Sequence, residues 1–164
     1  MAIKKVGVLG MTGTMGQGIV QVCAQSGYQV VASSRSQERL AQGIAGIDKV
    51  LSRSVEKGRL SAEDKAATLG RIKGTTDTRA FSDCDLVIEV AVEDLGLKKQ
   101  IFAELGQICP PAAILASNTS VLPVVEMAVA SGRPEKVVGL HFFNPPPLMK
   151  LVEVIKSIVA SEET

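Results

Sequence analysis

Short apolar runs alternate with amphipathic segments of helical length from one end of this chain to the other, and that alternation limits the fold more than any other feature. Val6–Leu9 reads as a buried strand. Gln17–Ser26 follows as a helix, with Ile19, Val22 and Cys23 at helical spacing and Gly27 as its stop. Gln29–Ala32 is a second strand. Gln37–Lys57 predicts a long helix with Leu40, Ile44, Ile47 and Leu51 on its apolar face, closed by Gly58. Ser61 to Asp64 has the form of a capping box ahead of another helix, with Asp where Glu is usual. Ile72–Thr75 predicts a strand, and Asp85–Val92 carries the most pronounced strand signal. Leu97–Ile108 is an amphipathic helix ended by Pro110 and Pro111. Ala113–Ala116 and Val137–His141 are strands around a short helix near Val124–Val129, and Leu151–Ile155 is the last strand.

Strands separated by helices pair through crossover connections, so they lie parallel. The expected architecture is therefore α/β: a doubly wound, mostly parallel sheet forming one domain over residues 1–164. Such a sheet binds its ligands beyond the carboxyl ends of the strands, where strand order reverses. The chain is long enough for one sizeable core, and 46% hydrophobic against 21% charged residues excludes a disordered chain. A formal net charge of +1 with interspersed signs gives no footprint for nucleic acid or a membrane surface. Cys23, Cys84 and Cys109 have no metal spacing and read as small buried hydrophobes in a reducing compartment. No apolar run approaches the ~20 residues of a membrane span, and no signal-peptide core opens the chain, so a cytoplasmic location is expected.

The first strand ends in "GVLGMTGTMGQG". Gly10, Gly13 and Gly16 read GxxGxxG, one residue longer than the dinucleotide signature GxGxxG, with Thr12, Thr14 and Met15 between them. Glycines let the backbone approach a pyrophosphate, and the helix that follows offers unpaired N–H groups and a positive dipole end. The second strand tests which dinucleotide. An NAD site ordinarily ends this strand in a carboxylate for the ribose hydroxyls, but none occurs here before Glu38. Ser34, Arg35 and, four residues on, Arg39 would instead accept a 2′-phosphate. The plain alternative is that both arginines are solvated surface charges.

Three blocks, "DCDLVIEVAVEDLGLKKQIFAEL", "ILASNTSVLPV" and "VVGLHFFNPPPLMKLVEVI", together resemble the N-terminal domain of 3-hydroxyacyl-CoA dehydrogenases, particularly the bacterial 3-hydroxybutyryl-CoA enzymes. The resemblance covers essentially the whole chain. It implies that His141, the only histidine, is the general acid/base for the 3-hydroxyl of an acyl-CoA thioester, and that Glu153 orients its ring. It implies that Ser120 bonds the reacting oxygen and that Glu93 and Lys98 contact the nicotinamide half of the cofactor. Asn118, Ser120 and Asn144 complete the implied cofactor contacts, with Asn144 also facing substrate. Lys57 matches a basic residue near the CoA phosphates.

The longer loop and "SSRSQER" depart from that family and resemble instead deazaflavin-dependent NADP reductases, in which Thr12, Ser34, Arg35 and Arg39 match the groups on the 2′-phosphate. NADP(H) is thus the favoured cofactor and NAD(H) the alternative. Pro146 stands where the family often has Val. The family continues into a final strand and a helical C-terminal domain beyond the position of Thr164. The expectation is a chain without that domain, with apolar surface uncovered for homodimer contact and with impaired turnover. The expected reaction is reversible hydride transfer between NADP(H) and (3S)-3-hydroxyacyl-CoA or 3-oxoacyl-CoA. The alternatives are a non-catalytic NADP(H)-binding module and an NAD-dependent form of the same enzyme.

Overall fold

A computed structural model describes residues 2–164. Seven strands form one sheet: β1 (Lys5–Leu9), β2 (Gln29–Ser33), β3 (Ile72–Thr75), β4 (Leu86–Glu89), β5 (Ile114–Ser117), β6 (Val137–Phe142) and β7 (Val152–Ile155). Their order across the sheet is β3-β2-β1-β4-β5-β6-β7. The first six are parallel, as the alternation with helices requires, and β7 runs antiparallel to β6. Strand order reverses between β1 and β4, so the crevice for a ligand opens at Leu9–Gly10 and Glu89–Val90.

Five helices cover the sheet: α1 (Thr14–Gln25), α2 (Gln37–Glu56), α3 (Ala62–Gly70), α4 (Leu95–Ile108) and α5 (Val124–Ala130). One core layer gathers Val8, Ile19, Val20, Ile47 and Leu51; the other gathers Phe81, Val87, Phe102, Leu115 and Met127. The three cysteines are buried, and burial pushes the Cys23 and Cys109 thiols up to about 11 and Cys84 to about 12. Among the described residues no helix is long and apolar enough to cross a membrane.

Element boundaries differ from the sequence expectation where side chains decide them. Helix α1 begins at Thr14 rather than Gln17, because Gly13 serves as its N-cap and Gln17 N–H already donates to Gly13 O at 3.0 Å. Strand β4 stops at Glu89 rather than Val92, because the Glu89 carboxylate accepts from Ala91 N–H at 2.5 Å and turns the chain out of the sheet. Helix α4 starts at Leu95, two residues early, with Asp94 Oδ1 accepting from Leu97 N–H at 2.7 Å. The capping box before α3 forms as expected: Asp64 N–H donates to Ser61 Oγ at 2.9 Å, and Ser61 O–H donates to Asp64 Oδ2 at 2.7 Å.

Candidate functional site

Residues 143–151 contain no helix, so the chain reverses directly from β6 into β7. Antiparallel register then sets His141 opposite Glu153, and directly opposed residues share a face of the sheet. His141 Nδ1–H donates to Glu153 Oε2 at 2.8 Å. In the neutral ring that bond leaves Nε2 as an acceptor, and Ser120 Oγ lies 3.0 Å from it. Ser120 comes from the loop after β5, the neighbour of β6 on its other side. The Phe143 ring packs at a tilt against the imidazole, with centroids 4.8 Å apart. The His141 side chain remains 19% exposed, so the sheet edge presents a ring fixed at both nitrogens and still reachable from solvent.

Beside it lies a network that centres on Glu89, at the end of β4. Its carboxylate is fully buried and takes Lys98 Nζ at 2.7 and 2.9 Å, Ser117 O–H at 2.7 Å and Ala91 N–H. Lys98 is 1% exposed, reaches Glu93 at 3.5 Å, and so meets the crevice only through that residue. Glu93 is 42% exposed, and its Oε1 accepts from Thr119 Oγ1. Burial raises the Glu93 pKa, but the Thr119 hydroxyl, the Lys98 ammonium and the Ser120 N–H outweigh it and hold the carboxyl below its ordinary value.

Sequence reasoning named Glu93 and Lys98 but missed Glu89, Ser117 and Thr119. The available signal was an acid closing the apolar run Leu86–Ile88, where a solvated charge would have no place. Asn118 is spent on structure: its N–H donates to Glu89 O, and its Oδ1 accepts from Phe142 N–H, both at 2.9 Å. Asn144 is exposed at the start of the proline loop.

At the other end of the crevice the glycines divide by role. Gly10 has φ +102°, and a Cβ there would lie 2.7 Å from Val90 O. A Cβ at Gly16 would lie 2.2 Å from Gly10 O. These two make the turn and let α1 pack onto it. Gly13 has no such reason: its φ is −94° and nothing stands within 4 Å of a Cβ. The longer loop is accommodated by turning Met11 inward, where it is fully buried with its Cε 2.8 Å from a Cβ placed at Gly43. Gly10 and Met11 N–H groups both donate to Ser33 O, at 3.2 and 3.0 Å. Thr12 and Thr14 are exposed and Met15 is half-buried.

Ser34 is 8% exposed, and its N–H is bonded to Thr75 O, yet its Oγ has no hydrogen-bond partner. Arg35 and Arg39 are exposed, and among the described residues neither guanidinium forms an ion pair. A buried hydroxyl without a partner, two free guanidiniums and an unobstructed Gly13 fit a phosphorylated dinucleotide. Lys57 is not brought to this cluster. It caps the far end of the 20-residue α2, about 30 Å along the helix axis from Ser36. Between the two helices and the proline loop runs an apolar groove of about 290 Å³, lined by Gln17, Gly18, Ile47, Val50, Pro147 and Leu148. Pro146 closes against Gly18, where a Cβ would lie 2.7 Å from its Cδ.

The family model described as "3-hydroxyacyl-CoA dehydrogenase, NAD binding domain" matches residues 5–164. A probable 3-hydroxybutyryl-CoA dehydrogenase of Deinococcus radiodurans is 51% identical over 98% of this chain and 57% of its own length. The 3-hydroxybutyryl-CoA dehydrogenase of Clostridioides difficile is 44% identical over the same shares. Among solved structures, 3-hydroxybutyryl-CoA dehydrogenase from Escherichia coli K12 superposes with a TM-score of 0.97 at 44% identity, over 99% of this chain and 34% of that one. The (S)-3-hydroxybutyryl-CoA dehydrogenase of Ralstonia eutropha gives 0.95 at 39% identity, over 99% and 57%. The chain thus spans about half the length of most of these relatives.

Proposed function

The chain belongs to the 3-hydroxyacyl-CoA dehydrogenase family through its NAD binding domain, and from that membership we propose that it carries the cofactor-binding and proton-handling half of a reversible 3-hydroxyacyl-CoA oxidation, with NADP(H) as cofactor. The observation that carries the reading is His141 held between Ser120 and Glu153. The nicotinamide supplies the acceptor or donor of hydride at C3. The protein's part is the proton. Ser120 orients the C3 oxygen, His141 Nε2 takes its proton during oxidation, and Glu153 on Nδ1 stabilises the imidazolium that results. In reduction the same nitrogen returns the proton.

Gly10, Thr12, Gly13, Thr14, Met15 and Gly16 would cradle the pyrophosphate. Ser34, Arg35 and Arg39 would hold the 2′-phosphate. Glu93 would meet the nicotinamide ribose, with Lys98 acting behind it and Asn118 keeping its loop in place. Asn144 and the apolar groove stand on the thioester side, and Lys57 could reach only the far phosphates of a CoA-length ligand. The family description names NAD, which makes the unphosphorylated cofactor the second reading.

Fluorescence titration separates the two cofactors: NADPH should bind more tightly than NADH, and an equal or reversed order would return the site to NAD(H). Reduction of acetoacetyl-CoA followed by NADPH absorbance tests the reaction itself. Binding without consumption would leave a cofactor-binding module. The exposed Leu148, Leu151, Val154 and Ile158 support self-association along the β7 side. Light scattering should show a mass that rises with concentration, and a constant monomer mass would reject that contact.

A further inference from the structure

We infer that Glu89 is a positioning residue that sets Ser120 against His141, through Lys98, Glu93 and the loop after β5. Burying a carboxylate and an ammonium is expensive, and a pair of apolar side chains of the same volume would serve the core as well. Here the pair is kept, and its partners explain what it does. Glu89 grips three separate pieces: its own turn at Ala91, helix α4 at Lys98, and the end of β5, at Ser117 and, through its main-chain carbonyl, at Asn118 N–H. It has no exposed surface, so it cannot touch a ligand.

The chain of contacts runs on from there. Lys98 reaches Glu93 at 3.5 Å, and Glu93 accepts from the hydroxyl of Thr119, the residue before Ser120. Ser120 then meets His141 Nε2 at 3.0 Å. Two loops that carry groups of the site, residues 90–94 and 118–122, are thereby fixed to one buried charge. Remove that charge and Lys98 has only Glu93 left as a carboxylate partner. Whether Lys98 shifts toward Glu93 or is itself replaced, Glu93 loses its anchor to the core, and the loop it holds through the Thr119 hydroxyl, with Ser120, loses its set position.

The lone histidine makes the test direct, because side-chain nitrogen NMR of labelled protein shows one imidazole. Ser120→Ala supplies the Nε2 signal of a ring without its serine partner. Glu89→Gln should move the wild-type signal most of the way to that position. Glu89→Gln combined with Lys98→Met places two neutral side chains of similar volume in the core. It should restore folding but not the signal. Leu51→Ala, in the opposite core layer, should lower the melting temperature while leaving the imidazole unmoved. A wild-type Nε2 signal in the folded double variant would overturn the proposal and reduce the pair to packing. So would a displacement of equal size in Leu51→Ala. No cofactor or thioester enters the measurement, so its failure leaves the proposed reaction untouched.

Discussion

The two ends of the crevice are built on opposite terms. Beyond β1 and β2, Ser34 Oγ, Arg35, Arg39 and the open face of Gly13 are left without partners. Beyond β4 to β7, the central polar groups are already paired: Glu89 with Lys98, Glu93 with Thr119, His141 with both Ser120 and Glu153. In the function proposed above, the first end meets a large anion and the second passes a proton: a surface that takes up and releases an anion keeps its donors free, since a donor tied up internally would have to break that bond first. A group that must pass a proton along a set direction needs its geometry fixed before substrate arrives. One end is prepared by leaving contacts unmade, the other by making them.

That contrast can be tested by asking whether damage stays at its own end. The largest effect is expected from His141→Gln, which should lower acetoacetyl-CoA reduction by roughly a hundredfold to ten-thousandfold while leaving NADPH affinity unchanged. A parallel loss of NADPH binding in the titration would mean the ends are not separate. Arg35→Ala should do the reverse, weakening NADPH on the order of tenfold to a hundredfold. NADH affinity and melting temperature should hold, because the exposed guanidinium has no ion-pair partner to lose. Equal losses for both nucleotides would place Arg35 on the adenine face rather than the phosphate.

Gly13→Ala sharpens the same point with a smaller change. With no positive φ and open space around it, the alanine should fold at the wild-type temperature yet bind dinucleotide on the order of tenfold more weakly. Unaltered binding by titration would show that the loop does not press against its ligand at this position. The smallest effect concerns pH. The Glu93 carboxyl titrates below its ordinary value in the folded chain, so the stability it contributes is complete above the usual glutamate range. It is lost as pH falls through the lowered value. Wild type should therefore melt slightly above Glu93→Gln near neutrality and converge with it in acid. The margin is small because the carboxylate is partly solvated.

Sequence periodicity sufficed for the six parallel strands, since an apolar run between amphipathic helices has few other places to go. It did not orient β7. Leu151–Ile155 is apolar enough for a strand in either direction, and only the lack of a helix across 143–151 makes it antiparallel. The His141–Glu153 pair was legible as two residues of matching blocks, but their contact is a consequence of register. Helix α1 starting at Thr14 runs against the two glycines within its first turns, Gly16 and Gly18, because the need for Gly16 to lie flat on Gly10 outweighs glycine's low helical propensity. Glu89 stayed hidden for the opposite reason. A charged residue is expected outside, and only the folded positions of Lys98 and Ser117 make its burial tolerable.

The inward turn of Met11 ties the length of the glycine loop to a residue on another helix. The methionine fills the space left by Gly43, so the two positions are coupled through packing. Grafting the shorter loop onto this chain would vacate a buried methionine and leave a hole beside α2, at a cost of about 2–5 kcal/mol. Grafting the longer loop onto a relative with a side chain at that point would require the methionine to repack instead. The length of this loop is therefore coupled to a position on helix α2, outside the loop itself.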